Sequence, residues 1–428
     1  MTSKTYYVSV TGNDKNDGLS KEAAFTLQKA ANLVEAGDTV KILDGTYENT
    51  HPNSDILSIS DKHGTEAAPI TFAAYSTKQP PVLEAHKNNW NAILITGSSY
   101  IVIKGLTLKG AKGEIDLNYA QQHQDDPKRP ETSGNGITIK KNSARLQSHH
   151  ITIIDNIVSD FPGGGIAAIE SDYITVENNV VSDNCSYSPN GPQGITMLNL
   201  QDFDKKNPND YKVIIKGNTC FNNEQGIRAL ETGEITEGHG IILDRSYIET
   251  ESGTKLFYEG KALIYNNISY NNSGAGIEIF NGENYVEIKN NTMYKNSQKR
   301  PVPVAEISLN KCENVHVSKN IMYASDVNPA CYIPKSTNVS FNNNLAYNGT
   351  CKNTGSGNIL DKDPLFVDAA NHDFRLKSGS PAIDAGIGAD PTKNTPTLKV
   401  QVLNDTDDIT DESTTAINFS ETTVDAGV

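Results

Sequence analysis

Little in this chain points to metal, membrane or nucleic-acid chemistry. Only five cysteines occur in 428 residues (Cys185, Cys220, Cys312, Cys331 and Cys351), with no CxxC or other metal-ligating spacing. An odd number at such wide separations argues against a disulfide framework and predicts buried free thiols. No apolar run reaches the length of a signal peptide or a membrane span, and residues 1–4 are polar, so no membrane partner is expected. No basic tract is present either. With a net charge of -15 the chain is a poor partner for nucleic acid, although a local cluster of Lys and Arg can still dominate a groove. Apolar residues make up only 36% of the sequence, with a single tryptophan, Trp90. A large globular core would need more, whereas a stack of short strands needs less per turn.

What the chain does contain is repetition. A Gly-Ile step recurs at Gly136, Gly165, Gly194, Gly240 and Gly276, at intervals of 29, 29, 46 and 36 residues. Between these steps, apolar runs end in asparagine at Asn156, Asn179, Asn218, Asn267, Asn291, Asn320 and Asn344. The alternation of strand, short turn, strand and Asn corner predicts an all-β right-handed parallel β-helix. Asn tolerates the left-handed backbone of a sharp corner, and stacked amides bond along the stack. Alternating Ile and Val fill the interior, and Cys185 and Cys220 are expected to stack there. No glycosylation is read into the many Asn-X-Ser/Thr sequences. Before the repeats, residues 5–47 read as a cap: a strand at Tyr6–Val10, a helix carrying Ala24, Leu27, Ala30, Ala31 and Val34 and stopped at Gly37, then a strand at Thr39–Leu43. Residues 1–388 are expected to form the β-helix domain, and 389–428 an acidic linker or disordered tail.

Four insertions break the period: Glu114–Ser133, Gln201–Asp210, Asn222–Gly238 and Ser246–Gly260. Solenoid insertions project as loops and can wall a groove over the strand surface. Between Asp183 and Tyr247 they coincide with Tyr187, Arg228, His239, Asp244 and Arg245. Arg228 and Arg245 present planar forks suited to a carboxylate, or else pair with Glu231, Glu234 or Asp244. His239 is either an acid/base group or a satisfied structural histidine. Tyr187 is either a functional phenol or a corner-packing residue. His123 is a weaker acid/base candidate. Asp244, Glu237 and Glu278 fit three roles: ligands of Ca²⁺, a glycoside-hydrolase carboxylate pair, or groups that orient His239 and the arginines. The third role asks least. Tyr119 and Asn135 flank the first insertion as sugar-contact candidates, and Lys205 and Lys206 are outer subsite candidates.

The stretches GNDKNDG…GDTVKILDGTY and DPLFVDAANHDFRLKSGSPAIDAG resemble the ends of many secreted β-helix carbohydrate enzymes. SGNGITI, SHHITIIDNIVSDFPGGGI, SYSPNGPQGITM, GEITEGHGIILD and ALIYNNISYNNSGAGIEIF resemble a bacterial β-helix group that includes alginate-type polysaccharide lyases. The resemblance covers roughly residues 5–386. It implies β-elimination on an acidic, uronate-containing polysaccharide by a secreted or extracellular protein whose leader lies outside this chain, and a monomer is expected. The steps are neutralisation of the carboxylate by Arg, Lys or Ca²⁺, removal of the C5 proton, and protonation of the leaving oxygen. By motif position Tyr187 and the GHGIILDR strand carry over, with His239 and Tyr187 as base and acid and the two arginines on the carboxylate. Similar members often carry Lys where this chain has Glu224, and Asn where it has His239. The rival expectations are a β-helix glycoside hydrolase using Asp244 with Glu237 or Glu278, a C5-epimerase, and a carbohydrate-binding or adhesin module.

Overall fold

The interior is a set of parallel files of aliphatic side chains. In one file Leu57, Ile93, Ile137, Ile166, Ile195, Ile241, Ile277 and Ile307 pair strand to strand, all with no exposed surface, and end at Cys331. The structure, a computed structural model, describes residues 2–206, 209–297, 304–325, 328–352, 355–383, 385–390 and 392. Almost all of the expected 389–428 tail lies outside the described residues.

Three long sheets of 11, 9 and 11 strands run parallel through the stack. Each coil thus has three strands rather than the two read from the sequence. The third is the short strand after each Asn, as in Ile157–Ser159 or Thr219–Phe221. Such three-residue strands are too short to show a period of their own. The cap is present with shifted ends. Thr5–Val8, at the edge of the first 11-stranded sheet, pairs with Thr39–Ile42, the second strand of that sheet. The helix spans Leu27–Leu33, capped by the Thr26 side chain, and it ends before Gly37 is reached. Ala24 precedes the helix, buried beside Phe25, which bridges to Val8.

All seven predicted asparagines stack at one corner, extended by Asn358. Each amide Nδ2 and backbone N–H donates to the Oδ1 of the next, as Asn179 does to Asn218 at 3.0 and 2.9 Å. The left-handed residue is not the stacking Asn but the one before it: Asp155, Asn178, Gly217, Asn266, Asn290, Lys319 and Asn343 all have positive φ. A second ladder, Asn184–Asn223–Asn272–Asn296, ends on the carboxyl of Glu306. Glu306 stands where earlier coils have the Gly of the Gly-Ile step. Those glycines are required by close approach: a Cβ at Gly240 would lie 2.1 Å from Ser269 Oγ, and one at Gly165 2.4 Å from a Val181 methyl.

The cysteines differ from expectation. Cys331 and Cys351 form a disulfide across the last coil, while Cys185, Cys220 and Cys312 are free and buried. Twenty residues separate the bonded pair, so proximity comes from coil geometry that spacing along the chain does not show. Cys220 stacks on Val181 rather than on Cys185.

Candidate active site

The nine-stranded sheet holds the Gly-Ile strands, and the insertions rise from both of its edges. Its outward rows form a floor. Thr138, Ala167, Thr196, Ile242, Glu278 and Ser308 make one row, and Ile169, Leu198, Asp244, Phe280 and Asn310 the next. Where the strands begin, the loops holding Asp125, Tyr187 and Arg228 tie to one another. Asn190 donates to Pro127 O at 3.1 Å, Gly226 N to Ser186 O at 3.0 Å, and Arg228 pairs with Asp125. Where the strands end, the second and fourth insertions make the other wall. Insertions therefore flank the sheet on two sides.

His239 and Glu278 come from neighbouring coils. His239 is 1% exposed, and both its ring nitrogens are engaged. Nδ1 accepts from the Ala275 N–H at 2.8 Å, which leaves the proton on Nε2, 2.7 Å from Glu278 Oε2. Glu278 Oε1 accepts from Ser308 at 2.9 Å. Gln193 links the next shell, accepting from His239 N at 2.6 Å and donating to Glu237. Thr236 also donates to Glu237, at 2.8 Å. His239 thus has no lone pair for a substrate proton, and its geometry is that of a group orienting Glu278.

Asp244, in the floor row next to that of Glu278, ends the strand Ile241–Asp244, and Arg245 follows it. Arg245 Nη2 lies 3.3 Å from Asp244 Oδ2, and Nη1 lies 3.4 Å from Glu231 Oε1. Asp244 Oδ1 and Arg245 Nε are buried without a hydrogen-bond partner, although the two side chains pair through Oδ2 and Nη2. Burial pushes the Asp244 carboxyl up to about 6; Arg245 opposes this, while Glu237 and Glu231 add to it. Burial, with the field of Asp116, also raises the Tyr187 phenol, so Tyr187 is protonated at neutral pH.

The remaining candidates are dispersed. The Tyr119 and His123 rings meet tilted, centroids 4.2 Å apart, and His123 Nδ1 contacts Tyr119 O. Asn135 Oδ1 accepts from Gly164 N at 2.7 Å, a tie between coils. Lys205 pairs with Glu259 at 2.8 Å and Lys206 with Asp204 at 3.9 Å, both on the opposite wall. Glu224 opens the third insertion, its N–H bonded to Asn184 O at 2.9 Å. The residues do not fit a Ca²⁺ site. The oxygens of Glu237 and Glu278 are taken up by neighbouring side chains, and among the described residues no three His, Cys, Asp or Glu converge for a metal.

Sequence reasoning missed Lys212. Its side chain is 3% exposed and lies 3.2 Å from both Asp172 and Asp202 and 3.7 Å from Asp204. Tyr258 donates to Asp172 at 2.7 Å, and Glu259 N to Asp202 at 2.9 Å. This hub fastens both exit-wall insertions to one strand. Burial lowers the Lys212 pKa, but Asp172 and Asp202 raise it by more, so the ammonium stays charged. Burial raises Asp172 against its four donors. Lys212 and Asp172 lie 3.2 Å apart as a buried pair. We take it as ionic, because Asp172 accepts from Tyr258, Phe203 N, Tyr173 N and Lys212 together. Lys212 is the second residue of the strand Tyr211–Lys216, and its acidic partners meet it only when the coils stack, so spacing along the chain carried no signal for it.

Two cavities border the exit wall. One of about 440 Å³ is lined by residues that include Asp202, Lys205, Leu256, Phe257 and Tyr258. The larger, about 890 Å³, runs past Lys140, Lys141, Arg145, Glu170 and Glu249. His239, Tyr187, Asp244 and Arg245 line neither of them.

Residues 6–320 match the family described as Pel9A-like, right handed beta helix region. The uncharacterized protein YwoF of Bacillus subtilis (strain 168) is 24% identical over 441 residues, covering 88% of this chain and 91% of that protein. The crystal structure of pectate lyase Pel9A superposes with a TM-score of 0.53 at 17% identity, over 89% of this chain and 91% of that one. An alginate lyase from Paenibacillus sp. str. FPU-7 covers 84% of this chain at 13% identity with a TM-score of only 0.44. At these identities the structural likeness is one of fold.

Proposed function

Because the chain belongs to the family of Pel9A-like right-handed β-helix regions, we propose that it is a polysaccharide lyase cleaving a uronate-containing polymer by β-elimination. The alginate-type group suggested by motifs gives way here to the broader family, and the uronate is left open between pectate-like and alginate-like chains. One observation carries the reading. Asp244 and Arg245 lie side by side on the groove floor, with a buried acceptor and a buried donor still to be matched.

In this mechanism the Arg245 guanidinium, with Arg228 on the entry wall, offsets the uronate carboxylate and stabilises the charge that develops as C5 loses its proton. Asp244 takes that proton. The C5–H and C4–O bonds break and a C4–C5 double bond forms. Tyr187, held protonated, supplies a proton to the leaving oxygen. His239 positions Glu278 beside the reacting sugar. The disulfide Cys331–Cys351 supports an extracellular location, because such bonds persist in oxidising compartments.

The acidity of the site favours a second reading, a hydrolase with Asp244 as general acid and Glu237 as its partner. The pH profile separates the two. A base must be ionised, so lyase turnover should rise as pH increases through about 6, the Asp244 value. A general acid must be protonated, so hydrolase turnover would fall over the same interval. Polygalacturonate, alginate and neutral glycans would be incubated with the protein while unsaturated-uronate absorbance and reducing ends are followed. Both should rise together on a polyuronate, and Arg245→Ala should lower turnover by about 10²–10³-fold. Reducing ends without absorbance would select the hydrolase. Neither signal on any glycan would leave a binding module.

A further inference from the structure

The larger cavity is not absorbed by this mechanism. It begins in the same floor row as the catalytic pair. Thr96 pairs with Lys140, Ile139 with Ala168, Ile169 with Leu198, and Leu198 with Asp244. Lys140 therefore stands three strands before Asp244, roughly 14 Å along the groove at the usual strand spacing. In a chain of net charge -15, three cations fall within six residues here, Lys140, Lys141 and Arg145.

The loop that carries them is built rather than slack. Asn142 Oδ1 accepts from Leu146 N at 2.8 Å, its amide donates to Asp61 at 2.5 Å, and Arg145 N bonds Asn142 O at 3.0 Å. Ser148 Oγ holds Lys140 O at 2.7 Å, and Gln147 reaches Gln201 O at 2.6 Å. Arg145 sits at φ 63°, a left-handed conformation that the tight turn imposes. Local charges then sort themselves. Lys141 pairs with Glu170 at 3.5 Å and Asp61 is taken up by Asn142. Lys140 and Arg145 are exposed and make no ion pair among the described residues. Glu249 and Glu251, from the hairpin Tyr247–Glu249 with Lys255–Phe257, also line the cavity as acceptors suited to sugar hydroxyls.

We propose that Lys140 and Arg145 form a distal subsite for a carboxylate of the polymer, with the hairpin acids receiving hydroxyls of the same sugars. The proposal rests on the acidic-polysaccharide reading and extends it: substrate is gripped at two charged points three strands apart, which favours long chains over short oligomers. The step is one of binding only, and two separated points select length because a short ligand cannot reach both.

The test uses Lys140→Ala/Arg145→Ala in the full chain, both side chains being exposed and outside the catalytic pair. Retardation in native gels containing polygalacturonate, alginate or methyl-esterified polygalacturonate reads binding without turnover. KM and kcat on polymer and on a trisaccharide read the length effect. The expected result is retardation of the unmodified protein by a charged polymer but not by the ester, reduced at least fivefold in the double variant. KM for polymer should rise by about tenfold (about 1.4 kcal/mol) with kcat unchanged and trisaccharide kinetics unmoved. Equal retardation of variant and parent, no retardation of the parent, or an equal KM rise on both substrates would overturn the subsite. Retardation lost in the variant, with no unsaturated product from the parent, would uphold the subsite and sink the lyase.

Discussion

At the scale of single residues, the clearest departure from the repeat is Glu306. It replaces a glycine, is fully buried, and receives the backbone N–H of Asn296 at 2.9 Å and its amide at 2.6 Å. Two donors favour the carboxylate, but burial opposes it and wins, pushing the carboxyl up to about 8. The sign follows from linkage. The folded protein holds this proton more tightly than the unfolded chain, so the stabilisation is complete below the ordinary Glu value near 4.5 and is lost as pH rises through about 8. Glu306→Gln removes the titration. Urea midpoints should fall between pH 6 and 9 for the parent more steeply than for the variant. Parallel slopes would show that Glu306 does not titrate in that interval. His239 makes the complementary point. Its place before the Gly-Ile step marked it as near the site, but its tautomer is set by the Ala275 N–H, which belongs to the next coil.

Between the residue and the molecule, the elements are joined by polar ladders and one ionic hub. The Asn corners were legible because an amide stacked on an amide is a local, repeated demand on residue type. That the left-handed residue comes one position earlier was not, since Asp, Asn, Gly and Lys all fill it. The hub at Lys212 could not be read from spacing, because Asp172, Asp202 and Asp204 come from two separate coil segments and converge only when coils stack. Removing the ammonium strands Asp172, whose side chain has no exposure, and breaking such a buried pair typically costs about 3–5 kcal/mol. Lys212→Ala should therefore lower the unfolding midpoint, and limited proteolysis should cut the insertions at 199–206 and 246–260 earlier than in the parent. An unchanged cleavage pattern would mean that the loops are held by other contacts.

On the scale of the whole molecule, stability is a sum over neighbouring coils, and the ends are where it fails first. The N-terminal end is closed by the helix Leu27–Leu33 against the sheet edge. Toward the other end, Cys331–Cys351 closes a loop of 20 residues, worth about 3 kcal/mol in the chain-entropy account. Thiol titration in denaturant should give three groups before reduction and five after it, and reduction should lower the onset of melting. Five thiols without reductant would remove the bond and the support it lends to an extracellular location.

The coil repeat, its asparagine corners, the capping helix and the stretch where the candidate residues gather are all readable along the chain. Each is a periodic or local requirement, met by residue type within a single turn of the stack. Which candidates lie against one another came only from the stacking of the coils. Arg245 lies against Asp244, His239 against Glu278, Arg228 against Asp125, and Lys140 three strands along the same row. Stacking brings residues tens of positions apart to within a few ångströms, and the loop lengths that set this register carry no periodic signal. Burial, which is also a property of the stack, then decides which carboxyls titrate near neutrality.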